Sequence, residues 1–134
     1  MMRAACNCGA VVFEVSGPIG PVYMCHCSIC RRYTGGNGIA VIVVANDAFR
    51  WVSGEEDIGT WDKPQADWQS HFCTRCGSAL PGSNDPERMF VPAGLIPDAD
   101  AANLEVAHHI WTHSKAVWDV IGDEGKQHPE AFSG

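Results

Sequence analysis

The chain has 134 residues, 46% of them hydrophobic, and sets 9 Lys and Arg against 16 Asp and Glu for a formal charge of -7. That length suits a single domain, 1–134, since halves of it would bury a core poorly, and the apolar content argues against a disordered chain. The acidic balance repels a phosphate backbone, which argues against nucleic acid as a partner but leaves room for a local basic pocket holding a small anion.

Taken in chain order, the pattern is rich in short strands. Ala10–Val15 is a strand candidate ended by the turn Ser16-Gly17-Pro18. Val22–Cys25 is a second, and Ile39–Val44, dense in β-branched residues, is a buried third. Phe49–Val52 and Gly59–Trp61 flank a turn at Ser53-Gly54, and a polar stretch from Lys63 to Asp67 precedes Gln69–Phe72. Arg88–Pro92 and Leu104–Thr112 complete the predicted strands. Lys115–Ile121 is the predicted helix, with Ser114 as N-cap and Gly122 just past its end. Pro64, Pro81, Pro86, Pro92 and Pro97 exclude long helices from the second half. The sum is one mainly antiparallel β domain with a short C-terminal helix.

No apolar stretch follows Arg3 before the first cysteines, and the apolar run Gly38–Ala45 falls far short of the roughly 20 residues that span a bilayer. The expectation is a soluble, cytoplasmic protein without a membrane partner; an oligomer is compatible with the sequence. In that reducing setting the 7 cysteines favour metal over disulfides, an odd number with two Cys-x-Cys spacings that would close strained rings.

The cysteines form three clusters: Cys6-Asn7-Cys8, Cys25-His26-Cys27-Ser28-Ile29-Cys30 and Cys73-Thr74-Arg75-Cys76. Structural zinc takes four thiolate or imidazole ligands, and catalytic zinc takes three and keeps a fourth position open. Gly9 and Gly77 directly follow Cys8 and Cys76, as in turns that aim backbone N–H groups at metal-bound sulfur. This points to a closed site of Cys6, Cys8, Cys73 and Cys76. The middle cluster is followed by Arg31 and Arg32, which favour ionised sulfur and can hold a carboxylate. A zinc-ribbon pairing of Cys27-x-x-Cys30 with Cys73-x-x-Cys76 stays open on spacing alone.

Cys6-x-Cys8-Gly9-x-Val11-x-Phe13, Cys25-His26-Cys27-x-x-Cys30-Arg31 and Phe72-Cys73-x-x-Cys76-Gly77-Ser78 resemble the glutathione-dependent formaldehyde-activating enzyme family, of which centromere protein V is an outlying relative. Gly94-Leu95 and the stretch from His109 to Trp118 fit as well. The resemblance implies a fold of coiled antiparallel sheets, a β-tent, carrying two zincs. It implies a structural zinc on Cys6, Cys8, Cys73 and Cys76 and a catalytic zinc on Cys25, Cys27 and Cys30, which selects the first pairing. It also implies a carbon–sulfur lyase activity on glutathione–aldehyde adducts, with glutathione as co-substrate. The expected mechanism places the glutathione sulfur at the middle cluster and its carboxylate on Arg31 or Arg32. The alternative is a non-catalytic zinc module that binds a thiol ligand or a protein.

His26, between two cysteines, is a candidate for proton transfer or for supporting its loop. His71, His108, His109 and His113 read as strand or surface residues, with His108 on the face opposite His109. Trp51, Trp61, Trp68, Trp111 and Trp118 read as core filling or as roofs over the metal sites, with room for one or two in a substrate pocket. Gly35-Gly36-Asn37-Gly38 lacks the Lys-Ser/Thr ending of a phosphate loop and reads as a tight turn beside the middle cluster.

Overall fold

A computed structural model describes residues 1–132; the last two residues of the predicted domain lie outside the described residues. Its strands are β1 (Met2–Ala5), β2 (Val12–Val15), β3 (Val22–Cys25), β4 (Ile39–Ala45), β5 (Phe49–Ser53), β6 (Ile58–Asp62), β7 (Gln69–Cys73), β8 (Gly82–Asp85), β9 (Arg88–Pro92), β10 (Val106–Ile110) and β11 (Lys126–Gln127). Two short helices, α1 (Ser28–Thr34) and α2 (Asp98–Ala101), join them. The protein is mainly β, with three sheets ordered β1-β2-β5, β11-β10-β3-β4-β9-β8 and β6-β7.

Alternating burial sets the core. Met2 and Ala4 of β1, Phe13 and Val15 of β2, Val22 of β3, Ile42 and Val44 of β4, and Val91 of β9 are buried together in one apolar cluster. On β1 the inward Met2 and Ala4 alternate with exposed Arg3 and Ala5, as a pleated strand with one buried face requires. Glu14 of β2 pairs in register with Arg3 on one side and Arg50 on the other, and both guanidiniums bond its carboxylate. A second, smaller cluster holds Cys6, Val11, Cys73 and Leu80, with Trp51 and Ile58 against it.

The mainly antiparallel reading holds, one expected element needs correction, and one helix was not foreseen. The sheets are antiparallel except where β10 pairs in parallel with both β3 and β11. Residues 115–121 form no helix: a single turn closes from Asp119 N–H to the Ala116 carbonyl. Only Ala116 of that segment is buried, while Val117, Trp118 and Val120 are exposed. A helix this short needs a packed apolar face to persist, and here there is none. Instead Asp119 is drawn inward, where its Oδ2 accepts from Asn37 Nδ2 at 3.4 Å. Finally, the middle cluster runs into an unforeseen helix, α1, for which Cys27 is the N-cap and left-handed Gly35 the stop.

Candidate metal and thiol site

Cys6, Cys8, Cys73 and Cys76 come together although the first and third clusters are distant in sequence, and their sulfurs all lie within 4.8 Å of one another. The Cys6–Cys8 and Cys8–Cys73 sulfur separations are 3.6 and 3.8 Å. A tetrahedron with metal–sulfur bonds of about 2.3 Å has edges of about 3.8 Å, so the donor set fits zinc. Each arm is a knuckle: Gly9 N–H donates to the Cys6 carbonyl at 3.0 Å and Gly77 N–H to the Cys73 carbonyl at 2.8 Å. Gly9 and Gly77 have φ of +80° and +79° with open space where a Cβ would stand. Backbone conformation therefore selects glycine there, and packing does not. The second arm is moored by Thr74, whose N–H and hydroxyl both donate to the Asp57 carbonyl, and by an Arg75–Asp57 ion pair at 3.0 Å.

Backbone donors address the sulfurs. Burial works against ionising Cys6, yet the Val11 N–H and the Cys8 thiol hold its pKa below the usual value. For Cys8 the Ala10 N–H also lowers it, but desolvation and the neighbouring sulfurs outweigh this and push it to about 11. The Ser78 hydroxyl and N–H hold Cys76 at about 6.

Cys25, Cys27 and Cys30 form the second group, again within 4.8 Å of one another. Three elements deliver them. Cys25 ends β3, in register with Ile39 of β4 and Ile110 of β10. Cys27 caps α1 by accepting from the Cys30 N–H at 3.3 Å, and Cys30 is buried in the first turn. The three sulfurs share one charge: thiol donation from Cys25, then Cys30, pulls Cys27 down to about 2. Cys27 in turn pushes Cys25 up to about 11, and Cys25 and Cys27 push Cys30 higher still. Three neighbouring thiolates coexist only around a cation, and this trio offers the ligand count of an open zinc site.

Behind the trio lies a polar chain absent from the sequence reading. His26 is 1% exposed. Its Nε2 lies 2.8 Å from His109 Nδ1, and His109 Nε2 lies 2.7 Å from Asp123 Oδ1. Burial, then His109, lowers the His26 pKa, so the ring is neutral and its 3.8 Å approach to Asp119 is not an ion pair. His109 and His108 do take opposite faces, His108 stacking on Tyr23 with ring centroids 5.2 Å apart. His113 is exposed, bonded to the Pro129 carbonyl, and His71 sits half-buried on β7.

Arg32 lines a cavity of about 450 Å³ together with Ser28, Ile29 and Tyr33 of α1 and with Trp61, Lys63, Trp68 and Ser70 of the β6–β7 hairpin. Arg31 does not line it and keeps a buried Nε without a hydrogen-bond partner among the described residues. Lys63 and Tyr33 were not legible as site residues, since a lone Lys in a polar turn and a Tyr in an unforeseen helix carry no motif. Among the tryptophans, Trp51 packs against both apolar clusters, Trp68 lines the cavity, and Trp61 and Trp118 are largely exposed.

Fold and site together define a small β protein with two separate cysteine clusters suited to metal. The chain belongs to the glutathione-dependent formaldehyde-activating enzyme family, whose model matches residues 1–114. A Halomonas elongata protein named as a glutathione-dependent formaldehyde-activating enzyme is 30% identical over 141 residues, spanning 100% of this chain and 88% of that one. The crystal structure of a Rhodobacter sphaeroides protein shares the fold with a TM-score of 0.60 at 24% identity, covering 77% of this chain and 97% of that one. Among the described residues, no helix is long and apolar enough to cross a membrane.

Proposed function

We propose that the chain catalyses the joining of glutathione to formaldehyde, or the reverse cleavage, as a carbon–sulfur lyase of the cytoplasm. In the forward direction a C–S bond forms and the C=O π bond opens. The thiol proton ends on the new hydroxymethyl oxygen, giving S-hydroxymethylglutathione. The single observation that carries the reading is the donor count: a trio of thiols stands apart from a complete quartet, and the helix that carries Cys30 also lines a cavity through Ser28, Ile29, Arg32 and Tyr33.

Cys6, Cys8, Cys73 and Cys76 would hold a structural zinc, and Cys25, Cys27 and Cys30 a second one. Bound there, zinc would supply a positive charge that favours the thiolate form of a neighbouring thiol. The remaining work falls to the chain itself. Cys27, as N-cap, fixes the trio to the start of α1. His26 holds the Cys25–Cys27 loop from behind through His109 and Asp123, and we assign it a positioning part in catalysis. Arg32 lines the cavity and Arg31 carries a free buried donor; both suit a glutathione carboxylate.

The test is the rate of S-hydroxymethylglutathione formation, followed by NMR exchange on protein carrying about two zincs per chain. Acceleration over the uncatalysed reaction, lost in Cys27→Ser, is expected. A wild-type rate equal to the uncatalysed one would overturn the assignment.

A further inference from the structure

The cavity beside α1 is composed unlike the hollows elsewhere on this acidic chain. Three of those are lined by carboxylates: Asp67 and Asp85 in one, Glu105, Asp123 and Glu124 in another, and Glu14 and Asp47, beside Arg50, in a third. Among the described residues, the cavity beside α1 is lined by two cations, Arg32 and Lys63, and by no carboxylate. Its volume, about 450 Å³, lies in the range of roughly 300–1,000 Å³ that takes a small organic ligand.

Its two walls come from different halves of the molecule. One is α1, whose Ser28 and Ile29 bridge Cys27 and Cys30; the Arg32 guanidinium bonds the Ser28 carbonyl at 3.2 Å, which holds that cation along the helix. The other is the β6–β7 hairpin, whose last residue is Cys73 of the four-cysteine cluster. The Tyr33 hydroxyl of α1 donates to the His71 carbonyl of β7 and ties the walls together. Trp68 lies edge-on to Tyr33 with centroids 5.3 Å apart, and its indole N–H donates to Ser70 Oγ at 3.0 Å. The aromatic surface is thereby fixed in orientation before any ligand arrives.

We propose that this cavity is the peptide-recognition site for the thiol substrate, and that Lys63, on the hairpin wall, is its specificity-determining residue. On the helix side, Arg32 takes one carboxylate of a peptide-sized thiol that carries two carboxylates. Lys63 takes the second carboxylate on the hairpin side, with the ligand's backbone against Trp61 and Trp68. Thiols with a single carboxylate, such as cysteine, reach only one cation and are discriminated against. The inference rests on glutathione being the substrate. It adds that recognition is shared between the two halves of the fold, the four-cysteine cluster anchoring the base of the hairpin that carries Lys63.

The experiment uses zinc-supplemented protein and S-methylglutathione, whose thioether cannot add to an aldehyde, with binding read by tryptophan fluorescence and calorimetry. Lys63→Glu replaces a half-exposed side chain and Arg32→Glu an exposed one, so both variants keep the fold. Loss of one charge-assisted hydrogen bond predicts affinity at least about tenfold weaker in either variant. S-methylcysteine should bind wild type and Lys63→Glu equally. Wild-type affinity in Lys63→Glu would overturn the proposal, as would failure of wild type to bind S-methylglutathione. Either of these with normal S-hydroxymethylglutathione formation would leave the reaction standing. Lys63-dependent binding without any acceleration would sink the reaction and keep the pocket.

Discussion

The two cysteine clusters use the same side chain at similar spacings, yet they are held very differently. In the quartet, Cys6 and Cys73 are part of an apolar cluster with Val11 and Leu80, and two glycine turns and an Asp57 mooring close the backbone around it. The trio sits where a strand end meets a helix start, and its support is polar: the Cys30 N–H in front and the His26–His109–Asp123 chain behind. Embedding in core makes a cluster part of the fold. Mounting it on hydrogen bonds fixes its position while leaving a face for chemistry.

Removing one ligand from each cluster gives the widest separation. Cys73→Ser should abolish cooperative unfolding by circular dichroism, because a structural zinc contributes on the order of 10 kcal/mol to the folding of small domains. Cys27→Ser should instead lose more than about 100-fold in rate with a melting temperature within a few degrees of wild type, since serine is itself a good N-cap. Equal unfolding in both variants would erase the distinction.

Protonation separates the sulfurs within the trio. With the middle metal removed by mild chelation, Cys27 is a thiolate at any pH above about 2, whereas Cys25 ionises only near about 11. Alkylation at pH 5 followed by peptide mapping should therefore label Cys27 well ahead of Cys25. The preference should narrow as pH rises toward the Cys25 value, and uniform labelling would remove the shared-charge picture.

The smallest expected effect tests the polar support. His109→Ala leaves His26 Nε2 without its partner in a buried site and should cost about 1–3 kcal/mol. Chelator competition should show the middle metal held less firmly and the quartet's metal unchanged. Equal weakening at both sites would make the chain a general stabiliser rather than a support for the trio.

Much of the fold was legible because its signals are local. Val22–Cys25 and Arg88–Pro92 fall where the sequence pattern places them, and Ile39–Ala45 exceeds its predicted span by one residue. Strand β1 was missed because Met2-Arg3-Ala4-Ala5 has little β propensity; it is a strand by pairing with β2. Strand β8 was missed because Gly82-Ser83-Asn84-Asp85 reads as a turn. Helix α1 is one residue type away from a recognisable signal, since its N-cap is Cys27 where Ser or Asp is usual. The predicted C-terminal helix had caps but no face to bury. The grouping of cysteines was legible from the glycines after Cys8 and Cys76 and from the family resemblance. The cavity was not, because Arg32 and Lys63 meet only through the hairpin.

The sulfurs of Cys8 and Cys73 lie 3.8 Å apart but 65 residues apart along the chain. The trio, by contrast, is complete once residue 30 has been made. At a synthesis rate of roughly 5–20 residues per second, Cys8 precedes Cys73 by roughly 3–13 s. On a growing polypeptide the three-cysteine group is therefore complete seconds before the four-cysteine group, whose first arm must wait for the middle of the chain to supply its partners.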